Sequence, residues 1–331
     1  MTKNKSFLIL VLTLFLLSSC NAQGSADQER TLCVATWNVQ NLFDAEDNGT
    51  EYDEYTSSSG WNQRTYESRL TSIRRVLEGL PSSGDYILVL NEIESSNVIE
   101  DLIKSHDLKE LGLCYYACTE EEWSPIQIAV ASSIPITEVH VHAVGENLRP
   151  VLEVCIDTDY GRLFVLACHF KSNVGGVSAT EAQRLQSASV AAQVARILEA
   201  ENPGSLVLVC GDLNEECAVG KALSEAGPLP CSATFERGHW YDFWQNPEEI
   251  CWPGGSYWYD GSWRGYDHIL ISLAGKDMCG WDYSEAGVVF SNLQRTADGK
   301  PFSWDRRLLK GVSDHLPVWV KFETSLGRLT Y

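Results

Sequence analysis

Short apolar runs of strand length recur along the whole chain, and this pattern constrains the fold more than any other feature. Runs such as 86–90 and 206–210 are wholly apolar, which indicates buried strands. Turn-forming residues separate several of the runs. The predicted strands are 32–36, 86–90, 126–131, 151–156, 163–168, 206–210, 266–272 and 316–322.

Segments with helical spacing separate some of these runs but not all of them. Apolar residues recur on one face of a predicted helix over 64–80, which Pro81 ends. A shorter helix is predicted over 97–105. Ser178 and Glu181 form a capping-box pattern, which predicts the start of a third helix.

Strands outnumber helices, and this mixture fits a layered α/β protein with mixed sheets better than a pure βαβ fold. The 331 residues and the 44% hydrophobic composition suffice for a large core and exclude a disordered chain. No repeat and no Pro/Gly/Ser-rich linker divides the body of the chain. We therefore predict a single domain over 31–331.

The beginning of the chain has the pattern of an export signal. Two lysines give it a positive start, and 7–17 is an apolar segment too short to span a membrane. It ends in Leu-Ser-Ser-Cys at Cys20, which resembles the bacterial lipobox, whose cysteine becomes the lipidated first residue. An ordinary signal peptide that contains a cysteine is the alternative. We expect a lipoprotein signal over 1–20, a short tether over 21–30, and an exported protein anchored by lipid to the cell envelope.

The chain is acidic, with a net charge of −20. A protein that binds nucleic acid over a broad surface would be basic, so this charge argues against a wide electrostatic footprint. It does not exclude nucleic acid, because a bound cation supplies positive charge locally. Export permits disulfides among the eleven cysteines, but their pairing cannot be read from the sequence.

Polar and ionisable residues cluster directly past the ends of the apolar runs. Catalytic groups commonly lie on loops held by a rigid sheet, so these segments are candidates for one site. Taken singly, each has an ordinary explanation: Gly-Asp-x-Asn makes a good turn, and a lone histidine is more often packed than catalytic. The candidates are Asn38, Glu92, His169, Lys171, Asp212, Asn214, Asp267, Asp314 and His315.

Taken together and in order, the segments resemble the endonuclease/exonuclease/phosphatase superfamily, which includes pancreatic deoxyribonuclease, abasic-site endonucleases, neutral sphingomyelinases and inositol polyphosphate 5-phosphatases. The resemblance rests on TWNVQNLFD, LNEIE, HFKS, GDLN, YDHILIS and SDHLPV, and covers about 31–322. It implies a four-layer α/β sandwich, in which two mixed β-sheets pack face to face with helices outside. It also implies a monomer.

The resemblance implies a divalent metal bound by oxygen ligands. Glu92 matches the principal ligand, Asp314 matches a second one, and Asn38 lies nearby. Mg²⁺ suits such ligands because it binds through one or two carboxylates together with substrate phosphate. Mn²⁺ and Ca²⁺ are alternatives.

The same matching implies the catalytic roles. Asp212 positions or deprotonates the attacking water, while His315, held by Asp267, contacts the phosphate. His169 contacts the phosphate or the leaving oxygen. This inventory suits phosphoryl transfer, which needs charge neutralisation and in-line positioning more than covalent chemistry. The residues assigned to the substrate phosphate are Lys171 and Asn214.

Two positions depart from the family pattern. Asn91 stands where many members have Gln, and His268 stands where many have Tyr or another residue. We expect the change at Asn91 to alter supporting hydrogen bonds and to leave the chemistry intact.

We predict a metal-dependent hydrolase of phosphate esters, acting as a phosphodiesterase or nuclease at the cell surface on nucleic acid or nucleotides. A sphingomyelinase-like or inositol-phosphate phosphatase activity is one alternative. The lipid-directed version would need a membrane-touching loop, for which Trp252 and the aromatic run 257–259 are the candidates, although packing of these residues is the simpler interpretation. The other alternative is a surface binding protein that keeps the fold without catalysis.

Overall fold

The computed structural model describes residues 30–216, 240–245 and 253–325. The predicted leader, Cys20 and most of the predicted tether lie outside these residues. The helices in the described part are α1 (Gln63–Leu77), α2 (Ser96–Ile103) and α3 (Val177–Glu201). The strands are β1 (Thr31–Leu42), β2 (Asp85–Ile93), β3 (Tyr115–Cys118), β4 (Gln127–Ser132), β5 (Ile136–His142), β6 (Val151–Thr158), β7 (Gly161–His169), β8 (Leu206–Asp212), β9 (Trp240–Tyr241), β10 (Tyr257–Tyr259), β11 (Ser262–Arg264), β12 (Asp267–Ser272), β13 (Gly280–Val288) and β14 (Val318–Ser325).

Most of these strands belong to two six-stranded sheets. The first sheet has the order β13-β14-β1-β2-β4-β3, and the second has the order β5-β6-β7-β8-β12-β9. The strands β10 and β11 pair in a separate hairpin. Each large sheet contains one parallel pair, β1 with β2 and β7 with β8, and its other pairs are antiparallel. Both sheets are therefore mixed.

Alternation of side chains along the strands builds three apolar cores. Val34 of β1 faces the second sheet and packs in the central core with Leu208, whereas Trp37 faces α1 and α2 in an outer core. A third core joins α3 to the outer face of the second sheet. Each fully buried aliphatic side chain contributes about 1.5–3 kcal/mol to stability. The layers run helix, sheet, sheet, helix, which confirms the predicted four-layer α/β sandwich.

The start of α3 differs from the prediction. Ser178 lies inside the helix, which begins at Val177, and no side chain caps it. The residue before it, Gly176, has a φ of 115°, a conformation that favours glycine and leads the chain into the helix. The capping box predicted for Ser178 and Glu181 was therefore wrong, because the helix starts two residues too early for Ser178 to cap it.

Several strands carry no apolar run that would mark them in the sequence. The clearest case is β5, an edge strand whose central residues are exposed on both faces.

The cysteines among the described residues are all free. Cys217, Cys231 and Cys251 lie outside the described residues, and so does any disulfide that involves them. Within the described ranges, no helix is both long and apolar enough to cross a membrane.

The strands β7 and β8 approach each other closely near their carboxyl ends. Gly211 has a φ of 142°, and a Cβ atom there would lie 1.8 Å from the carbonyl oxygen of Cys168. Only glycine fits at this point, since any side chain would collide with the neighbouring backbone. The parallel pairing therefore continues one residue further, to His169 and Asp212, which are register partners.

Candidate active site

Strand register brings polar residues of both sheets to one edge of the sandwich. In the first sheet, Asn38 is the last residue of β1 before the irregularity in its pairing with β2, and its partner there is Asn91. In the second sheet, Asp212 at the end of β8 pairs with His169 of β7 and with Asp267 of β12. The predicted residues at the ends of these strands therefore lie side by side.

The side chain of Asn38 connects the two sheets. Its amide nitrogen donates hydrogen bonds to Oε1 of Glu92 at 2.9 Å and to Oδ2 of Asp212 at 3.1 Å. Its Oδ1 accepts a hydrogen bond from the backbone N–H of Gln40 at 2.9 Å. Because the amide presents its nitrogen to the carboxylates, Asn38 here acts as a donor that positions them. Its role as a metal ligand stays a prediction.

Glu92 lies at an irregularity in the pairing of β2 with β4 and has a φ of 66°. Such a conformation costs about 1–3 kcal/mol in a residue other than glycine and is concentrated at functional sites. Its Oε2 accepts a hydrogen bond from the backbone N–H of Asn41 at 2.9 Å, and the side chain remains 19% exposed. Burial raises the pKa of Glu92, the Asn38 hydrogen bond lowers it, and the nearby Asp314 carboxylate raises it.

His315 is held from three sides. Its Nδ1 lies 2.8 Å from Oδ2 of Asp267, its carbonyl oxygen accepts a hydrogen bond from the indole of Trp37 at 3.0 Å, and its ring stacks on Tyr257 with centroids 4.5 Å apart. Burial alone would lower the pKa of His315, but the charges of Asp267 and Asp212 outweigh it and raise the pKa well above its usual value. These two carboxylates therefore favour the positively charged form of the imidazole.

His169 has the opposite electrostatic character. Its Nε2 lies 3.7 Å from Oδ2 of Asp212 and 3.8 Å from Oε1 of Glu92. Burial, followed by the charge of Arg149, lowers the pKa of His169 well below its usual value. Its surroundings therefore favour the neutral ring, so the pKa values of the two imidazoles are shifted in opposite directions. Two titratable groups whose pKa values are pushed apart can take different parts in one reaction.

Asp212 is buried between the sheets, and Asn91 holds its backbone. The Oδ1 of Asn91 accepts a hydrogen bond from the Asp212 N–H at 2.9 Å, and its Nδ2 donates to the carbonyl of Cys168 at 3.0 Å. Asn91 therefore connects β2 to both strands of the opposite parallel pair. Burial raises the pKa of Asp212 to about 7, although the charge of His315 lowers it. A carboxylate with this pKa is suited to accept a proton from water.

Asn214 follows Asp212 in a left-handed conformation, with a φ of 53°. Its backbone N–H donates to Oδ1 of Asp212 at 2.9 Å, and its side-chain nitrogen donates to the carbonyl of Phe170 at 3.2 Å. The amide nitrogen carries two hydrogens, and this contact uses one. The second hydrogen suits the predicted contact with a phosphate oxygen.

Arg149 is close enough to the site for its charge to act on His169, and it was not among the candidates from the sequence. The charges of Glu92 and Asp212 act on its guanidinium, although burial lowers its pKa overall. Its Nε is buried and makes no hydrogen bond with a described residue. The predicted phosphate contact Lys171 also lies near His169, since both cations lower the pKa of that histidine. A charged residue two positions before the apolar run of β6 was the signal that could have identified Arg149.

Two groups of side chains can be tested as a metal site. Asp212, Asp267 and His315 have ligand atoms within 4.8 Å of one another, but the histidine and Asp267 already share a hydrogen bond. Glu92 and Asp314 offer only carboxylate oxygens, and each charge acts on the other. Oxygen ligands are those that Mg²⁺ prefers, and a cation would remove the repulsion between the two carboxylates. The oxygen-only pair therefore suits a hard divalent cation better than the group that contains His315, while Glu92 and Asp314 as ligands and Mg²⁺ as the metal stay predictions.

The hairpin of β10 and β11 lies against the site rather than forming a separate apolar loop. Tyr257 stacks on His315 and also lies nearly parallel to Tyr259, with ring centroids 6.3 Å apart. Trp258 packs against another tryptophan of the hairpin. Only Tyr259 is largely exposed, at 57%, and Trp252 lies outside the described residues. These contacts agree with the packing interpretation for Tyr257 and Trp258.

His268 is buried and belongs to the support of the site. Its Nδ1 lies 2.8 Å from Oδ2 of Asp242, and its Nε2 lies 2.8 Å from the carbonyl oxygen of Glu215. Both neighbours are acceptors, so both ring nitrogens donate and the ring is charged. Burial lowers the pKa of His268, but the Asp242 carboxylate outweighs it and raises the pKa to about 9. The ring thereby connects β12 to the segments after β8 and β9.

Solved structures with a similar fold include three with nearly complete coverage of this chain. TDP2 from Caenorhabditis elegans is 16% identical, with 88% of this chain and 74% of that chain covered and a TM-score of 0.55. TDP2 from D. rerio, complexed with single-strand DNA product, is 14% identical, with 89% and 99% covered and a TM-score of 0.56. An endonuclease/exonuclease/phosphatase family protein from Bacteroides thetaiotaomicron is 15% identical, with 90% and 100% covered and a TM-score of 0.56. At these identities the likeness shows the fold alone.

The family relationship rests on the sequence model of one family. No curated protein sequence matches the chain. The model described as the Endonuclease/Exonuclease/phosphatase family matches residues 33–324, which is most of the chain and includes every strand end that builds the site. The chain therefore belongs to the endonuclease/exonuclease/phosphatase family.

Proposed function

We propose that this protein is a metal-dependent phosphodiesterase of the nuclease type, which cleaves nucleic acid or nucleotides by in-line attack of an activated water. One observation carries the proposal. Asn38 links the carboxylates of Glu92 and Asp212, and the imidazoles of His169 and His315 lie 3.7 Å and 3.9 Å from Asp212. A base, a charged donor and a metal-binding carboxylate thus surround one small volume, as hydrolysis of a phosphate ester requires.

Each residue of this group has a distinct part in the proposed reaction. The water oxygen bonds to phosphorus and the leaving oxygen departs on the opposite side, while Asp212 takes the water proton. His315, held by Asp267, and Asn214 contact the phosphate oxygens, on which negative charge develops. His169 contacts the phosphate or the leaving oxygen.

We propose Mg²⁺ as the metal, held by Glu92 and Asp314, with Mn²⁺ and Ca²⁺ as alternatives. The cation, when bound, neutralises the phosphate charge and orients the phosphate. Asn38 supports the site because its hydrogen bond fixes the Glu92 carboxylate. The all-oxygen donor set is the argument for a hard cation.

A polynucleotide or nucleotide is the proposed substrate. The D. rerio protein of similar fold is described as complexed with single-strand DNA product, which supports a nucleic acid on this scaffold. Arg149 and Lys171 supply local positive charge beside His169, although the whole chain has a net charge of −20. Such local charge suffices for a phosphate without a broad basic surface.

We also propose that the protein is exported and anchored to the cell envelope through a lipid on Cys20. The support is the positive start, the apolar segment and the Leu-Ser-Ser-Cys sequence. Expressed in a bacterial host, the Cys20→Ser protein should appear in the fraction that does not sediment with membranes. Continued sedimentation with membranes would contradict the anchor.

The activity is tested by offering the purified protein, with Mg²⁺, plasmid DNA, RNA, bis-p-nitrophenyl phosphate, sphingomyelin and inositol polyphosphates in parallel. We expect cleavage of nucleic acid and of the simple diester, abolished by EDTA. Asp212→Asn and His315→Ala should each lower the rate by roughly 10³-fold or more, with an unchanged circular dichroism spectrum.

Three results would contradict the proposed function. Turnover of sphingomyelin or inositol polyphosphates alone would identify a different phosphoesterase. Full activity in either variant would remove the assigned roles of Asp212 and His315. No turnover of any substrate, together with binding of a ligand, would favour a binding protein on the same fold.

A further inference from the structure

A cavity of about 300 Å³ lies beside α1 and is separate from the group of residues described above. Its walls come from α1, from the turn at Asn292–Gln294 and from the segment 302–312. Three lining residues are cationic, Arg75, Arg295 and Lys310, and no lining residue is acidic. In a chain with a net charge of −20, this concentration of positive charge indicates an anion site.

Two of the three cationic side chains have no carboxylate partner among the described residues. Arg75 and Lys310 are exposed and form no ion pair with a residue in the described ranges. Arg295 lies over the ring of Phe290, with 4.7 Å between its guanidinium carbon and the ring centroid. The nearest acid along the segment is Asp305, whose carboxylate accepts hydrogen bonds from backbone N–H groups of its own turn. The charges of Arg75 and Lys310 are therefore available to a ligand.

The wall formed by 302–312 is held in place by its backbone. The N–H of Phe302 donates to the carbonyl of Gln294, and the N–H of Val312 donates to the carbonyl of Phe302, both at 2.7 Å. Gly311 has a φ of 80°, and a Cβ atom there would lie 2.0 Å from the carbonyl oxygen of Ser303. The cavity is thus formed before a ligand binds, which reduces the entropic cost of binding.

The same segment leads directly to the proposed metal and phosphate residues. Lys310 precedes Asp314 by four residues, so their Cα atoms lie at most about 14 Å apart. The carbonyl of Val312, which lines the cavity, accepts a hydrogen bond from Arg69, and Arg69 also bonds the carbonyl of Gln40 at 3.0 Å. Phosphates of one strand are about 3.4 Å apart along a duplex axis and farther apart in an extended single strand. The cavity therefore lies within a few nucleotides of the scissile phosphate.

We propose that this cavity is a second phosphate subsite, which binds a non-scissile phosphate of the nucleic-acid substrate. The inference rests on the function proposed above and extends it to a polynucleotide. The guanidinium group of Arg75 suits a phosphate because its N–H groups match the phosphate oxygens, and Lys310 adds a point charge. The cavity gives the acidic protein local affinity for a phosphate chain.

The test compares Arg75→Glu and Lys310→Glu with Arg196→Glu, which reverses the charge of an exposed arginine on α3, in the opposite outer layer. Binding of a labelled single-stranded oligonucleotide is measured by fluorescence anisotropy in EDTA over a salt series, so that no turnover is needed. Hydrolysis of bis-p-nitrophenyl phosphate with Mg²⁺ is measured in parallel. Arg75→Lys serves as the conservative variant.

We expect each reversal at the cavity to weaken oligonucleotide binding by about tenfold and to reduce the slope of log Kd against log salt by about 0.7. Arg196→Glu should bind like the wild type, and Arg75→Lys, which keeps the charge but not the guanidinium geometry, should lose less affinity than Arg75→Glu. Hydrolysis of the small diester should be unchanged in all four variants, because it contains no second phosphate.

Three results would overturn the subsite. The first is equal affinity in the cavity variants and in Arg196→Glu. The second is a parallel loss of small-diester hydrolysis, which would mean that the segment only shapes the loop before Asp314. The third is calorimetric binding of inorganic phosphate that the reversals abolish without changing oligonucleotide affinity. Failure of the wild type to hydrolyse any diester would instead contradict the proposed function, while the binding measurement would still decide on the subsite.

Discussion

The Nδ1 of His315 and the Oδ2 of Asp267 lie 2.8 Å apart across the junction of the two sheets. His315 precedes β14 of the first sheet, whereas Asp267 begins β12 of the second. Because Nδ1 is used in the contact with the Asp267 carboxylate, Nε2 is the nitrogen directed towards Asp212. Nε2 lies 3.9 Å from Oδ2 of Asp212. The orientation of this imidazole therefore depends on how the sheets pack.

Replacing Asp267 with Asn keeps the shape of the side chain but removes the charge that favours the imidazolium. We expect Asp267→Asn to lower kcat for bis-p-nitrophenyl phosphate by roughly 10²- to 10⁴-fold, with little change in the urea midpoint. The control is Asp260→Asn in the exposed turn of the hairpin. A wild-type kcat in Asp267→Asn would show that the carboxylate is not needed to hold His315.

Arg149 should contribute to binding of the negatively charged transition state. Arg149→Met keeps a long side chain without the charge, and we expect kcat/KM for the same diester to fall by about 10- to 10³-fold. Arg162→Met removes an arginine paired with Asp157 on the second sheet and should leave kcat/KM unchanged. Equal rates in the two variants would place Arg149 outside the reaction.

The buried pair of His268 and Asp242 makes stability depend on pH. The pKa of His268 is raised from 6.5 to about 9 in the folded protein, so the stabilisation is complete below pH 6.5 and is lost as the pH rises through 9. At about 1.4 kcal/mol per pKa unit, the contribution at low pH is up to about 3 kcal/mol. Urea unfolding should therefore show a larger loss for His268→Gln at pH 6 than at pH 9.5. Equal losses at both values would mean that the ring is neutral in the fold.

Gly211 should tolerate no side chain, because a Cβ atom would lie 1.8 Å from the carbonyl of Cys168. We expect Gly211→Ala to lower the free energy of unfolding by more than about 3 kcal/mol, or to prevent folding. Gly204→Ala is the matched control, since Gly204 also has a positive φ but has no atom within 4 Å of the added carbon. It should cost only about 1–2 kcal/mol. Similar losses in both would show that β7 and β8 can separate without harm.

The site residues at strand ends were accessible from the sequence because apolar runs show where buried strands stop. Asn38, His169 and Asp212 each lie at such a point, and the structure brings all three together. Their proximity depends on register across two sheets, which the runs alone do not specify. The family resemblance supplied that information, and the structure confirms the four-layer fold it implied.

Other features had no readable signal. Asp242 lies 26 residues before His268, and nothing in either segment indicates that they pair. The edge strand β5 was missed because its exposed residues show no burial pattern. Arg149 is separated from Glu92 by several strands, so its place in the site depends on the assembled sheets. Sequence patterns are strongest where burial is regular, and each of these features depends on a single long-range contact.

The division of the site between two sheets has a consequence for fragments of the chain. A break at Ile134, between β4 and β5, would leave Asn38 and Glu92 on one piece and Asp212 and His315 on the other. Neither piece would hold a complete set of catalytic groups, and the contact from Asn38 to Asp212 would form only when the central core closes between them. If the chain were split at that loop, phosphodiesterase activity would return only when the two pieces reassociate. The rate of hydrolysis would then measure how much of the two inactive pieces has reassembled.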